Sequence, residues 1–146
     1  MSNKIIIRRA KEQDVEKIYA IGRKIHQFIY SKSSGFYSKK ELREYIKKPK
    51  DNIFFVALRE EKLVGFIYAS IISQDWCMLD IIAVDPKFQD KGVGSLLLEE
   101  LHETLKERKI SYIQALVRAE FKKTREFWKR KGFKEGKRFI WIEKNI

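Results

Sequence analysis

Gln89-Asp90-Lys91-Gly92-Val93-Gly94-Ser95 is the stretch on which the reading of the whole chain turns. An apolar run at 76–84 and an Asp85-Pro86 break precede it. Val93, Leu97, Leu101 and Leu105 follow at helical spacing until about residue 109. Residues 81–109 therefore read as the end of a strand, a glycine-rich turn and a helix. Backbone N–H groups of such a turn project from the positive end of the helix dipole. Gly92 and Gly94 carry no side chain to block close approach, and Ser95 adds a hydroxyl donor. The turn suits an anion, and a diphosphate best. A P-loop would need a Lys-Ser/Thr pair after its last glycine, where this chain has Ser95-Leu96. A dinucleotide fingerprint would need a third small residue, where it has Leu97. A lone Gly-x-Gly also makes a plain tight turn, so the elements around it have to decide.

Working outward, 5–7 is a short β-branched strand, and Asp14 stands where it can cap a helix carrying Val15, Ile18, Tyr19, Gly22, Ile25 and Ile29, expected to run to about residue 28. Residues 31–35 read as a loop. Ser38 with Glu41 forms a capping box for a second helix, which Pro49 stops. Residues 53–58 and 63–73 read as two antiparallel strands joined by the charged turn 59–62. Beyond the central helix come a strand at 112–117, a helix at 121–131 ended by Gly132, and a closing strand at 139–142. The order predicts an α/β (α+β) fold: a mixed sheet with helices on both faces, its 76–84 and 112–117 strands parallel with their carboxyl ends beside the helix start. Ligands bind at that place in such sheets.

A chain of 146 residues with 44% apolar content fits one domain, 1–146. No secretory signal and no apolar run of about 18 residues is evident, so the expected compartment is the cytoplasm and no membrane partner is expected. Cys77, His26 and His102 show no metal-ligand spacing, and no metal is expected. A formal charge of +12 raises the encounter rate with polyanions, among them nucleic acid, coenzyme A and acidic proteins. The excess is concentrated in the last third, from Lys122 to Arg138. No helix-turn-helix, zinc or RNA-binding motif accompanies it, so nucleic acid is not the expected partner. Neutralising a cofactor's phosphates, or simply solvating a face, would serve equally; surface ion pairs suited to a hot environment are a further reading.

The run Ile82-Ala83-Val84-Asp85-Pro86-Lys87-Phe88-Gln89-Asp90-Lys91-Gly92-Val93-Gly94-Ser95-Leu96-Leu97-Leu98 resembles the acyl-coenzyme A motif of the GNAT superfamily of N-acetyltransferases, Arg/Gln-x-x-Gly-x-Gly/Ala. Ile7-Arg8-Arg9-Ala10 leading to Asp14, and Phe127-Trp128-Lys129-Arg130-Lys131-Gly132-Phe133, are similar to further stretches of that family. The element order matches as well. The resemblance implies a GNAT-like sheet whose strands splay at the acyl-coenzyme A site. Backbone groups of Ile82, Ala83 and Val84 would pair with the pantetheine arm, and Gln89, Asp90, Lys91, Gly92, Val93, Gly94 and Ser95 would cradle the pyrophosphate. It also implies direct transfer of acetyl from acetyl-coenzyme A to a primary amine on a small molecule, a peptide N-terminus or a lysine. A backbone N–H near a bulged strand would stabilise the oxyanion. A homodimer is compatible with it.

An ammonium acceptor must lose a proton before it attacks, which calls for a carboxylate near the splayed strands. Asp80 is the first candidate, on the strand of Ile82 and at a place where the family often carries an acid; it could equally just position substrate. Glu120 is the second. Trp128 stands where many members carry an acid tyrosine; indole cannot act as that acid, so Trp128 is expected to wall the pantetheine or acyl pocket. Phe121 replaces a cofactor-contacting asparagine. Cys77 has no neighbour to activate it. His26, Tyr30, Phe36 and Tyr37 lie on the substrate side by resemblance, with core packing as the plainer role. The rival reading is a non-catalytic acyl-coenzyme A sensor or interaction module, favoured by Trp128.

Overall fold

The computed structural model describes residues 4–25, 31 and 35–146. Strand β1 (Ile5–Arg9) is followed by a single 3-10 turn at Glu12–Asp14, α1 (Val15–Gly22) and α2 (Lys39–Lys47). Then come β2 (Asn52–Arg59), β3 (Lys62–Ile71), β4 (Trp76–Val84), α3 (Val93–Glu107), β5 (Tyr112–Ala115) and α4 (Lys122–Arg130). The five strands form one mixed sheet in the order β1-β2-β3-β4-β5, antiparallel except for the β4–β5 pair. No helix among the described residues is long and apolar enough to cross a membrane.

Both faces of the sheet are covered. On one, Leu97, Leu101 and Leu105 of α3 and Trp128 of α4 pack on Ile53, Phe55, Ile67 and Leu79. On the other, Val15 and Ile18 of α1 and Leu42 of α2 pack on Phe54, Val56, Phe66, Ile81 and Ala83. Alternate strand residues feed alternate faces, as the pleat requires. The Ser38–Glu41 capping box forms as expected.

Four expectations are not met. Strand β5 ends at Ala115, short of residue 117. Helix α1 ends at Gly22, short of residue 28: its last turn tightens, with Lys24 N–H bonding the carbonyl of Ile21, and a Cβ at Gly22 would overlap the Phe36 ring. Asp14 does not cap α1 with its side chain; its carboxylate accepts from Lys11 N–H at 2.7 Å and from the Arg8 guanidinium at 2.7 and 3.0 Å. Residues 139–142 form no strand: Phe139, Ile140 and Ile142 are 85, 88 and 87% exposed, and no other strand lies beside them among the described residues. A strand needs a neighbour to satisfy its backbone.

Candidate active site

The site is set by what happens along β4. Its first residues pair on both edges, with β3 and, as Trp76↔Tyr112 through Leu79↔Ala115, with β5. From Asp80 onward the β5 pairing stops, while β3 still pairs Ile81 through Val84. The edge of residues 82–84 turned away from β3 therefore has no strand beside it among the described residues, and the bond it makes there is from the Gln89 amide to Val84 O.

Asp80 sits at the branch point. Tyr68 of β3 faces Ile81 and the next residue, Ala69, faces Leu79, so Asp80 is the extra residue of a β-bulge. The bulge switches the faces. Cys77 and Leu79 point into the α3 layer, whereas Ile81 and Ala83 point into the α1–α2 layer. The Asp80 carboxylate accepts a 2.7 Å hydrogen bond from the Ser70 hydroxyl. Burial pushes its pKa above the ordinary carboxylate value, and the bond from Ser70 offsets that in part.

An aromatic group lies on the same side of the sheet. The Tyr45 and Tyr68 rings stack at 4.8 Å, Tyr37 meets both edge-on, and Phe36 packs on Tyr37 and Phe66. Asp80 is felt there: burial and the Asp80 charge both raise the Tyr68 pKa, and burial, Glu41 and Asp80 raise that of Tyr45. Phe36 and Tyr37 thus join the layer that Asp80 borders, with real packing duties in it. His26 and Tyr30 lie outside the described residues.

At its carboxyl end β4 runs into the turn. Asp85 N–H bonds Val64 O, its side chain accepts from Lys87 N–H, and the Gln89 amide reaches back to Val84 O. Asp90 and Gly92 both have positive φ, 63° and 79°. Gly92 is the residue at the head of α3, where no side chain caps the helix, and nothing lies within 4 Å of where its Cβ would be. The N–H groups of Val93, Gly94 and Ser95 belong to the first turn, which has no earlier carbonyl to bond. Positive-φ residues leading into a bare helix start make a concave anion site. Gly94 faces Phe127, Ile82 and Val84 at 3.7–4.0 Å from its Cβ position, so the helix start and the open strand edge share one wall.

The remaining candidates separate. Trp128, only 7% exposed, is held in the α3-side core against the Phe127 and Phe133 rings at 5.1 and 4.9 Å; Phe127 is the ring that faces the turn. Glu120 is exposed and ion-paired with Arg118; its own N–H and Arg118 hold its carboxyl below the ordinary value, which makes it a weak base. The Cys77 thiol is fully buried and pushed up to about 11, mainly by burial. In the basic C-terminal third, Glu135 is held down to about 2 by Arg125 at 2.8 Å and by Lys129. Among the described residues no group of His, Cys, Asp and Glu gathers to hold a metal. Sequence reading missed Gly65, where a Cβ would stand 2.8 Å from Ala83 O; a lone glycine in a strand pattern was the available signal.

The family model for the acetyltransferase (GNAT) family matches residues 16–133. The chain belongs to the GNAT family. An uncharacterized protein of Bacillus subtilis is 30% identical to this GNAT chain over 108 residues, covering 74% of the chain and 60% of that protein. An uncharacterized N-acetyltransferase of Methanocaldococcus jannaschii is 33% identical over 110 residues, covering 68% and 49%. The chain thus spans about half to three fifths of the length of these curated relatives. The crystal structure of the PaiA N-acetyltransferase of Thermoplasma acidophilum in complex with coenzyme A superposes on 90% of either chain with a TM-score of 0.80 at 24% identity. The fold of the GNAT chain is thereby the GNAT fold, splay included.

Proposed function

We propose that this chain transfers an acyl group, acetyl in the first instance, from acyl-coenzyme A to a primary amine by direct attack. The observation that carries the reading is the continuity of one surface: the open edge of Ile82, Ala83 and Val84 leads into the uncapped head of α3, with Asp80 at the point where β5 parts from β4. An extended amide-bearing arm suits the first part and a diphosphate the second, and a coenzyme A molecule has both. The coenzyme A bound by the T. acidophilum relative supports the same assignment.

The donor set fits that ligand. Gln89, Asp90, Lys91, Gly92, Val93, Gly94 and Ser95 form the turn, Gly92 leaving open the volume that a Cβ would enter. Lys91 adds a positive charge at its mouth. Phe127 walls the turn at Gly94, and Trp128 backs Phe127 from the core. When bound, the thioester supplies an activated carbonyl. Asp80 takes the acceptor's proton, directly or through water: its raised pKa brings it nearer neutrality and makes it a better base than an exposed carboxylate. Tyr37 and Tyr45, half-buried over the buried Tyr68 on the Asp80 side, give the approaching amine an aromatic surface. Acceptors of this kind include small amines, peptide N-termini and lysine side chains.

Burial of Trp128 favours one alternative, a sensor that binds acyl-coenzyme A without turnover, because no acid stands at that position of α4 to protonate a departing thiolate. Two measurements decide. Acetyl-coenzyme A at 100 times its dissociation constant should stabilise the fold by about 2.7 kcal/mol, and ATP should not reproduce it. Acceptor-dependent thiol release across an amine panel then identifies an enzyme; stabilisation without release identifies the sensor; no stabilisation at millimolar ligand overturns both.

A further inference from the structure

Helices α1 and α2 cover only part of their face of the sheet, and the remainder adjoins Asp80. Ala69 of β3, Cys77 and Leu79 of β4, and Ile113 and Ala115 of β5 belong to the α3 layer. Their neighbours along each strand face the other way: Ser70, Trp76, Met78, Tyr112 and Gln114. The pairings agree. Ser70 stands across from Met78, Met78 beside Gln114 and Trp76 beside Tyr112, and the Trp76 and Tyr112 rings meet edge-on at 6.5 Å. Among the described residues, Trp76, Met78 and Tyr112 join neither packed layer. Trp76, Met78 and Gln114 are half-buried and Tyr112 is 57% exposed. This stretch is continuous with the candidate site, because the Ser70 hydroxyl that bonds Asp80 lies on it.

We propose that this face receives the body of the acceptor, and that the acceptor is a peptide N-terminus whose first side chain is large and apolar. The inference deepens the acyl-transfer reading and rests on it for the amine end. Charge limits the acceptor to one ammonium. Among the described strands Asp80 is the only acid. Glu41, the other acid felt at Tyr45, is engaged with Ser38 N–H in the cap of α2. A chain of net charge +12 repels a polycation as a whole.

Beyond the amine the floor is apolar. Met78 stands two strand rises from Asp80, about 6–7 Å, within reach of a first side chain, and Trp76 with Tyr112 lies as far again. Gln114, beside Met78, carries both an amide donor and an acceptor, which match the first peptide bond; a simple arylalkylamine has no group to answer them. An α-amine also asks least of a single carboxylate base. Its reference pKa is about 8 against about 10.4 for a lysine side chain, so at pH 7 its free-amine fraction is about two hundredfold larger.

The test uses the full chain with acetyl-coenzyme A and short lysine-free peptides that differ only in their first residue. With Met or Phe first, kcat/KM should exceed that with Gly first by about tenfold or more, the range that one apolar pocket supplies. It should also exceed the values for spermidine, for phenethylamine and for an N-blocked peptide carrying one lysine. Met78→Glu should bring the Met-to-Gly ratio within about threefold of one, and Gln114→Leu should raise KM for the Met peptide. Both variants should keep the thermal stabilisation by acetyl-coenzyme A, the sign that fold and cofactor site are intact. A binding titration keeps the two readings apart: a Met peptide labelled at its carboxyl end should gain anisotropy on the coenzyme A-loaded chain and not on Met78→Glu. That gain, without thiol release from any acceptor, overturns acyl transfer and supports the face. A higher kcat/KM on spermidine, phenethylamine or the blocked lysine peptide, a Met-to-Gly ratio near one, a ratio that Met78→Glu leaves intact, or no gain in anisotropy overturns the proposal.

Discussion

The two halves of β4 are built from similar residues and do opposite work. Residues 76–79 are bonded on both edges and lie in the sheet as any central strand does; residues 81–84 are bonded on one edge only. Between them stands one unpaired residue, Asp80. The bulge against β3 coincides with the end of pairing to β5, and the carboxylate at that point lies in an environment that raises its proton affinity. On the proposed acyl-transfer reading, scaffold and chemistry are thus separated by a single residue along one strand.

Removing the carboxylate is the sharpest way to break that comparison. Asp80→Asn keeps an acceptor for Ser70 and the shape of the bulge, and should lower kcat by about 10²–10⁴, the range for loss of a general base. Stability should move the other way. The folded pKa is raised above the unfolded one, so at neutral pH the ionised group disfavours the fold, a penalty that fades as pH falls through the folded value. Asp80→Asn should therefore melt at an equal or higher temperature at pH 7, and kcat/KM of the unaltered chain should rise with pH through a limb that the variant lacks. A fall in stability alongside intact kcat would reduce Asp80 to a strand residue.

Gly92→Glu attacks the other end of the open half. Its φ of 79° and the free volume at its Cβ would place a carboxylate at the mouth of the anion site. The stabilisation of about 2.7 kcal/mol by excess acetyl-coenzyme A should vanish in calorimetric melts. Gly65→Ala tests what holds the open half down on its one remaining partner. A Cβ there stands 2.8 Å from Ala83 O, a backbone atom that cannot swing away, so the variant should lose about 1–3 kcal/mol in urea melts, as overpacked sites do.

Much of this arrangement is legible in the residues. Gly92, Gly94 and the stripe of Val93, Leu97, Leu101 and Leu105 announce the turn and helix, and the β2–β3 hairpin closes at Arg59↔Lys62 as its charged turn suggests. The bulge is not legible. Cys77, Leu79, Ile81 and Ala83 keep a period of two in sequence and in burial, yet Cys77 and Leu79 face one layer while Ile81 and Ala83 face the other. A strand covered on both faces is apolar at odd and even positions alike, so the lone Asp80 marks the place but does not reveal that the register changes there. The end of the chain misled for the opposite reason: residues 139–142 have the composition of a strand, but composition does not name a neighbour, and no strand lies beside them among the described residues. Trp128 could be placed on its helix from the sequence, but which way its ring turned depended on Phe127 and Phe133.

That orientation supplies the smallest expected effect. Trp128 packs between Phe127 and Phe133 and is 7% exposed, so Trp128→Phe removes buried volume and should lower the melting temperature. Its influence on catalysis passes through Phe127, which faces Gly94 and Ile82 across the open half of β4. Measured well below the melting transition, kcat should fall less than about tenfold, or 1.4 kcal/mol, and the pH profile should keep its shape, because no proton moves through an indole. A loss of several hundredfold would place the ring among the reacting groups and make the two faces of α4 less separate than their burial indicates.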